Sequence, residues 1–245
     1  MYLKFTDDED KTGLDRETQW GAGVRHTAPG EGGLCTDGWI HLYQTTTPLL
    51  PVMLDPIHGN YGESAHLWEC EIAGPTRNDA GLKLGVGSCT TIRRITMPVV
   101  TLPQRLRFAI YCAREVYSEP AWLDWANDWL AGKNRSRQAA AEAENAAITA
   151  AAGAAITAAA WPAEAAVWPA EAAACAAAGA AAEAAGAAAE AAAWAAEVAA
   201  WAAAEAGDWA GTEWAATAVE DTARISGTLD LDRLAQEAVA DEPGE

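Results

Sequence analysis

Along the first hundred residues, apolar and polar positions alternate in short runs broken by turn residues. Residues 2–5, 38–43, 66–72 and 82–97 read as strands, the last enriched in β-branched Thr90, Thr91, Ile92 and Ile95. Thr36-Asp37-Gly38, Gly59-Asn60 and Gly74-Pro75 mark turns. Between the second and third strands the alternation stops. There Thr47 suits a cap, Pro48 a first helical position and Pro56 a block to continuation, which predicts a short helix over 49–54.

After residue 100 the period changes from two to that of a helix. Thr101 is a candidate N-cap, and residues 103–117 place Leu106, Ile110, Ala113 and Tyr117 on one stripe. Ser118 then precedes PAWLDWANDWLAG, where Trp122, Trp125 and Trp129 recur at i, i+3 and i+7 and Gly132 ends the helix. Three indoles on one face need a covering surface. The sheet of the same domain is the expected cover, and an aromatic binding platform is the other use of such a face.

From 139 to 206 the pattern nearly vanishes: 43 of 68 residues are alanine. Alanine loses no side-chain entropy in a helix, so helix is the natural state, yet one methyl removes little apolar surface from water. Pro162 and Pro169 each remove a backbone donor. The prediction is a helix over 137–160, an interruption at 161–169, and a helix over 169–206, roughly 35 and 55 Å long at the usual rise. Glu183, Glu190 and Glu197 are spaced by seven, as are Trp194 and Trp201, and WPAE occurs at Trp161 and again at Trp168. Seven residues is close to two turns, so each set forms a slowly drifting stripe. Trp161, Trp168, Trp194, Trp201 and Trp209 are therefore candidate interaction residues, with a passive spacer as the plain alternative. Past Gly207 a last helix is expected over 230–240, with Leu231, Leu234 and Ala238 on one face, placed to cap the helical array. The fold class is α+β. A small mixed domain (1–138) precedes an Ala-rich helical extension (139–206) broken near 161–169, then an acidic segment (207–245) with a terminal helix.

Charge changes the picture of what such a chain can meet. The net charge is −19, but residues 1–138 hold 14 Lys and Arg against 17 Asp and Glu, while the remainder holds only Arg224 and Arg233 against 18 acidic residues. A surface so negative disfavours nucleic acid and anionic lipid, and favours solubility or a basic protein partner. The opening MYLKFTDDEDK lacks the apolar core of a signal peptide and no long strongly apolar run follows, so no membrane association and a cytoplasmic location are expected. Five cysteines, Cys35, Cys70, Cys89, Cys112 and Cys175, without paired spacing, predict free thiols.

Candidate chemistry is sparse. Asp55-Pro56-Ile57-His58 sets a carboxylate three residues from an imidazole, which with His41 defines the one candidate enzymatic site. A turn-stabilising Asp and a satisfied His explain it as well. Cys35 and His41, or His66 and Cys70, lack the paired spacing of a zinc site, and neither metal nor cofactor is expected. Residues 81–88 are glycine-rich but lack the order of a phosphate-binding loop, which favours a turn between strands. Arg93, Arg94, Arg105 and Arg107 form the only basic cluster in the sequence, suited to a solvated strand end, the acidic tail or a phosphate.

LCTDGWIHLY, PVMLDPIH and AWLDWANDWLAGKNRS together resemble an uncharacterised family of bacteriophage-encoded proteins. In that family a domain with Cys-x-Asp-Gly-Trp-x-His, here Cys35 to His41, and an Asn-Pro-Ile-His-like segment precedes a Trp-rich helix and an Ala-rich tail. The resemblance covers residues 1–138 and extends to the tail only in style. Asp55 stands in place of the Asn, and Trp and Glu replace Ser and Arg in the tail. It implies a non-enzymatic accessory or structural protein of an infected host cell or a virion. Such a protein acts by self-association or by contact with a host or phage protein; inhibition of a host enzyme or defence protein is the alternative.

Overall fold

The structure, a computed structural model, describes residues 1–12, 17–58, 61, 64–136, 138–143, 145–147, 196, 199, 209–227 and 229–240. It is mixed α+β, with antiparallel strands and several helices, in two compact units. The first comprises Met1–Phe108 and takes in the C-terminal helix; the second is Ala109–Ile225.

The first unit contains strands β1 (Tyr2–Thr6), β2 (Lys11–Thr12), β3 (Thr18–Gln19), β4 (Arg25–Thr27), β5 (Ile40–Gln44), β6 (His66–Asp79) and β7 (Lys83–Ile95). β1 pairs with β5 on one side and β6 on the other. β7 pairs with β6 along one edge and with β5 and then β4 along the other. The order β1, β5, β7, β6 thus returns to its start, and four antiparallel strands close on themselves. Closure satisfies the strand edges that an open sheet would leave bare. Trp20, Leu42, Trp68, Cys70, Leu84, Val86 and Cys89 form its core.

Strands this long must bend, and two register shifts in β6 do it, at Glu69/Cys70 and Ala73/Thr76. The second corrects the expected turn at Gly74-Pro75. The chain continues as strand to Asp79 because Gly74 adopts φ +81° and Pro75 falls in the bulge, where no ladder donor is required. The true reversal lies at Ala80 and Gly81, both at positive φ, where Asn78 Oδ1 accepts from Gly81 N at 2.8 Å.

The helix expected over 49–54 extends further, as α1 (Leu49–His58). Thr47 Oγ1 accepts from Leu49 N at 3.4 Å, as a cap should. Pro56 does not block continuation because its missing N–H is replaced: Arg105 Nη1 donates to the carbonyls of Val52, 2.5 Å, and Met53, 3.1 Å. Val52 is the residue four before Pro56, whose carbonyl the proline orphans. Arg105 belongs to α2 (Leu102–Val116), which starts from Thr101 in a reciprocal cap: Thr101 N donates to Gln104 Oε1 at 2.8 Å and Gln104 N to Thr101 Oγ1 at 3.4 Å.

In the second unit α3 (Pro120–Leu130) is capped by Glu119 rather than the adjacent Ser118; the Glu119 carboxylate accepts from Trp122 N at 2.9 Å. Gly132, at φ +72°, ends it as expected. Residues 138–143 and 145–147 are helical, and α4 (Trp209–Ser226) is a helix that no sequence pattern singled out. The terminal helix α5 (Leu231–Ala240) buries Leu231, Leu234, Ala235 and Ala238. It packs against α1 in the first unit, where Asp232 accepts from Thr45 Oγ1 and, at 2.7 Å, from Thr46 N, while the helical array it is expected to cap lies mostly outside the described residues.

Candidate functional site

Alternation along β1 sends Leu3 and Phe5 to one face and Lys4 to the other, opposite Trp68. Lys4 is only 6% exposed. Its ammonium donates to the His41 carbonyl at 3.1 Å and lies 4.7 Å from the centre of the Trp20 ring. Burial lowers its pKa, opposed by the Cys89 and Cys70 thiols. Those thiols share a hydrogen bond that lowers Cys89 and, with burial, raises Cys70. The four described cysteines are free, Cys35 alone among them exposed.

Lys4 forms part of the wall of a cleft of about 1030 Å³, together with Trp20, Trp39, His41, Tyr61 and Lys83. The loop before β5 reaches this wall by crossing Gly85, where an added Cβ would stand 2.4 Å from Leu34 Cδ1 and 3.1 Å from Trp39. His41 Nε2 is tied to the Leu34 carbonyl, and burial holds its pKa below the ordinary value. At the cleft mouth Lys83 Nζ lies 3.2 Å from Cys35 Sγ. Cys35, Asp37, Trp39 and His41 of the Cys-x-Asp-Gly-Trp-x-His segment therefore share one wall.

Asp55 is buried. Its Oδ1 accepts from Tyr61 N at 3.2 Å, and its charge acts on Tyr43 and Arg105. Burial, then Asp55 and Tyr61, push the Tyr43 hydroxyl well above its ordinary pKa. The His58 side chain lies outside what is described. His66 and Cys70 part ways, the first bonding Asp10 and the second facing the core. The arginines disperse as well: Arg93 pairs with Glu69 at 2.7 Å, Arg94 with Asp10, and Arg105 with α1.

In the second unit Trp122, Trp125 and Trp129 are all buried, as their spacing requires. Trp122 Nε1 donates to the Ala196 carbonyl at 3.1 Å, so the alanine tract, not the sheet, supplies its polar partner. Tyr117 meets Trp122 edge-on at 5.5 Å, and Arg135 stacks 4.6 Å over Trp129. Ala140, Ala143, Ala147, Ala196 and Ala199 are buried too. Trp161, Trp168, Trp194 and Trp201 lie outside the described residues, and Trp209 opens α4 with its side chain undescribed.

Sequence reasoning missed two groups. Lys4 reads as a solvated strand residue, yet its strict alternation with Leu3 and Phe5 was the signal that it would face inward once the strands closed. Asp10, in an acidic run that reads as surface, accepts from His66 Nδ1 at 2.8 Å, Trp68 Nε1 at 3.0 Å and Arg94. Nothing in the run marks it.

Among the described residues no group of three His, Cys, Asp or Glu side chains is arranged to hold a metal, and no helix is long and apolar enough to cross a membrane. Compared with protein families, with curated proteins and with solved structures, the chain finds no match in any of the three.

Proposed function

We propose that this is a phage-encoded, non-enzymatic accessory or structural protein that works through protein contact, with its alanine-rich tract as the assembly surface. The observation that carries this reading is the 3.1 Å hydrogen bond from Trp122 to Ala196, across 74 residues of sequence. Ala139, Glu142 and Ala143 border a small cleft of about 260 Å³ with Trp125 and Asp128 of α3. Ala139, Glu142 and Ala143 before residues 148–195, and Ala196 after them, thus both meet α3. A straight helical spacer of that length would end roughly 70 Å away.

A return of this kind fits two alanine-rich helices paired as a hairpin, bent where Pro162 and Pro169 interrupt them. Methyl-sized side chains permit close approach, and Trp194 and Trp201 supply the apolar area that alanine lacks. The same faces, opened, can pair with a second copy or with a partner protein. The net charge of −19 suits a basic partner, which keeps a host enzyme or defence protein as the second target class.

The test replaces Trp194 and Trp201 together with Ala in the full chain. Loss of self-association, or a larger hydrodynamic radius with faster proteolysis of the tract, is expected while the first unit stays folded. Unchanged size, helicity and protease resistance would make the tract a passive spacer and refute the reading.

A further inference from the structure

The cleft in the first unit runs against the character of the chain. In a protein of net charge −19, its walls carry Lys4, Lys83, His26 and His41, with Asp37 the single carboxylate among the described residues that line it. Lys4 is the anomaly. A buried ammonium ordinarily has a carboxylate beside it, because taking an ion out of water is costly unless the charge is paired. Among the described residues no carboxylate forms an ion pair with Lys4, whose hydrogen bond goes to a neutral carbonyl. One of its three donors is used there and its flank rests on Trp20. Lys83, the second cation, has its Nζ 3.2 Å from the Cys35 sulfur and stands across the β6–β7 pair from Asp79.

Shape narrows the missing partner. At about 1030 Å³ the cleft is as large as sites that enclose organic ligands, which span roughly 300–1000 Å³, and an inorganic ion would not fill it. Trp20, Trp39, Tyr43 and Tyr61 give it flat apolar surface suited to a ring. Whole-molecule charge repels a polyanion approaching from solution, whereas a small anion feels mainly the local field of the two ammonium groups. We propose that this cleft binds a small organic anion bearing a planar ring, its negative group meeting Lys4 and Lys83 and its ring lying against the aromatic wall.

Cys35 makes the site directly readable, because it is exposed at the cleft mouth while Cys70, Cys89 and Cys112 are buried. The full-length protein is titrated with adenosine 5′-monophosphate and with anilinonaphthalene sulfonate, two ring-bearing anions. Neutral adenosine and inorganic phosphate serve as controls. Binding is followed by calorimetry and by the rate of Cys35 alkylation with iodoacetamide, resolved by peptide mass.

At least one ring-bearing anion should bind saturably and slow Cys35 alkylation several-fold, while adenosine alone and phosphate alone do not. Lys83→Gln should weaken that binding by roughly tenfold, and Lys4→Met should abolish it. Lys83 is partly exposed, so the first variant keeps the test valid if the second does not fold. The proposal is overturned if neither anion protects Cys35, if adenosine or phosphate protects equally, or if Lys83→Gln leaves the affinity unchanged. The first of these outcomes would mean that the Cys70–Cys89 pair already neutralises Lys4. None of these readouts depends on the tract, so the assembly reading stands or falls separately.

Discussion

Asp10 shows how much one residue can organise. It sits at φ +63°, a conformation Asp tolerates better than most residues, and there its carbonyl accepts from Trp20 N at 2.7 Å. Its carboxylate meanwhile gathers Arg94, His66 and Trp68. Burial tends to raise its pKa, but the hydrogen bonds from Arg94, His66 and Trp68 outweigh that and hold it below the ordinary 3.8. Asp10→Asn keeps the size and the backbone preference while removing the charge, and should cost about 1–3 kcal/mol in urea unfolding at pH 7. A folded-state pKa that is depressed adds stability above the unfolded value and loses it as pH falls through the folded one. The difference between wild type and variant should therefore shrink below pH 3.8. His41, also depressed, weakens both proteins below its ordinary 6.5 and cancels from the comparison. A gap unchanged at pH 2.5 would show that the carboxylate charge is not what stabilises. None of this is visible in the sequence, because a hub is made by partners 56 to 84 residues away.

Among the elements, what was legible were those whose cause is local. The cap at Thr101, the stop at Gly132 and the buried stripe of Trp122, Trp125 and Trp129 each depend on residues within a turn or two and are found, although the surface expected to cover the stripe, the sheet, is not what Trp122 bonds. The bulge at Gly74-Pro75 and the passage of α1 through Pro56 depend on distant chain, and the local signals there pointed the wrong way. In α1 the distant agent is Arg105, whose guanidinium takes the place of the N–H that Pro56 lacks. Arg105→Met should therefore cost about 2–4 kcal/mol, from the orphaned carbonyls and from the loss of a cation near buried Asp55. Pro56→Ala restores a donor for Val52 within the helix. In that background the cost of Arg105→Met should fall by about 1 kcal/mol, the share belonging to one satisfied carbonyl. Strictly additive urea midpoints would show that Arg105 acts on α1 through Asp55 alone.

At the scale of the whole molecule, the closed strands could not be read from the chain, because alternation gives each strand a face but not its neighbours. The candidate cleft was legible only as the Cys35 to His41 segment; Lys4 and Lys83 join it through pairings of β1 and β7 that closure dictates. The tail raises the opposite problem, since its composition announces helix but supplies few anchors. Nearly all of the net charge lies in residues 139–245, with glutamates seven apart, or about 10 Å along a helix. That spacing is shorter than the Debye length of ~30 Å at 0.01 M salt and close to the ~8 Å at 0.15 M. Neighbouring carboxylates in a paired tract therefore repel strongly in dilute buffer and weakly at physiological salt, while burial of indoles and methyls barely changes over this range. Raising salt from 0.01 to 0.15 M should shrink the hydrodynamic radius and slow proteolysis within the tract. Trp122→Phe, which removes the donor to Ala196 but keeps most of the apolar ring, should move the midpoint of that compaction to higher salt. The measurement is sedimentation and limited proteolysis across a salt series. A radius flat in salt for both proteins would mean that charge does not oppose the proposed packing of the tract.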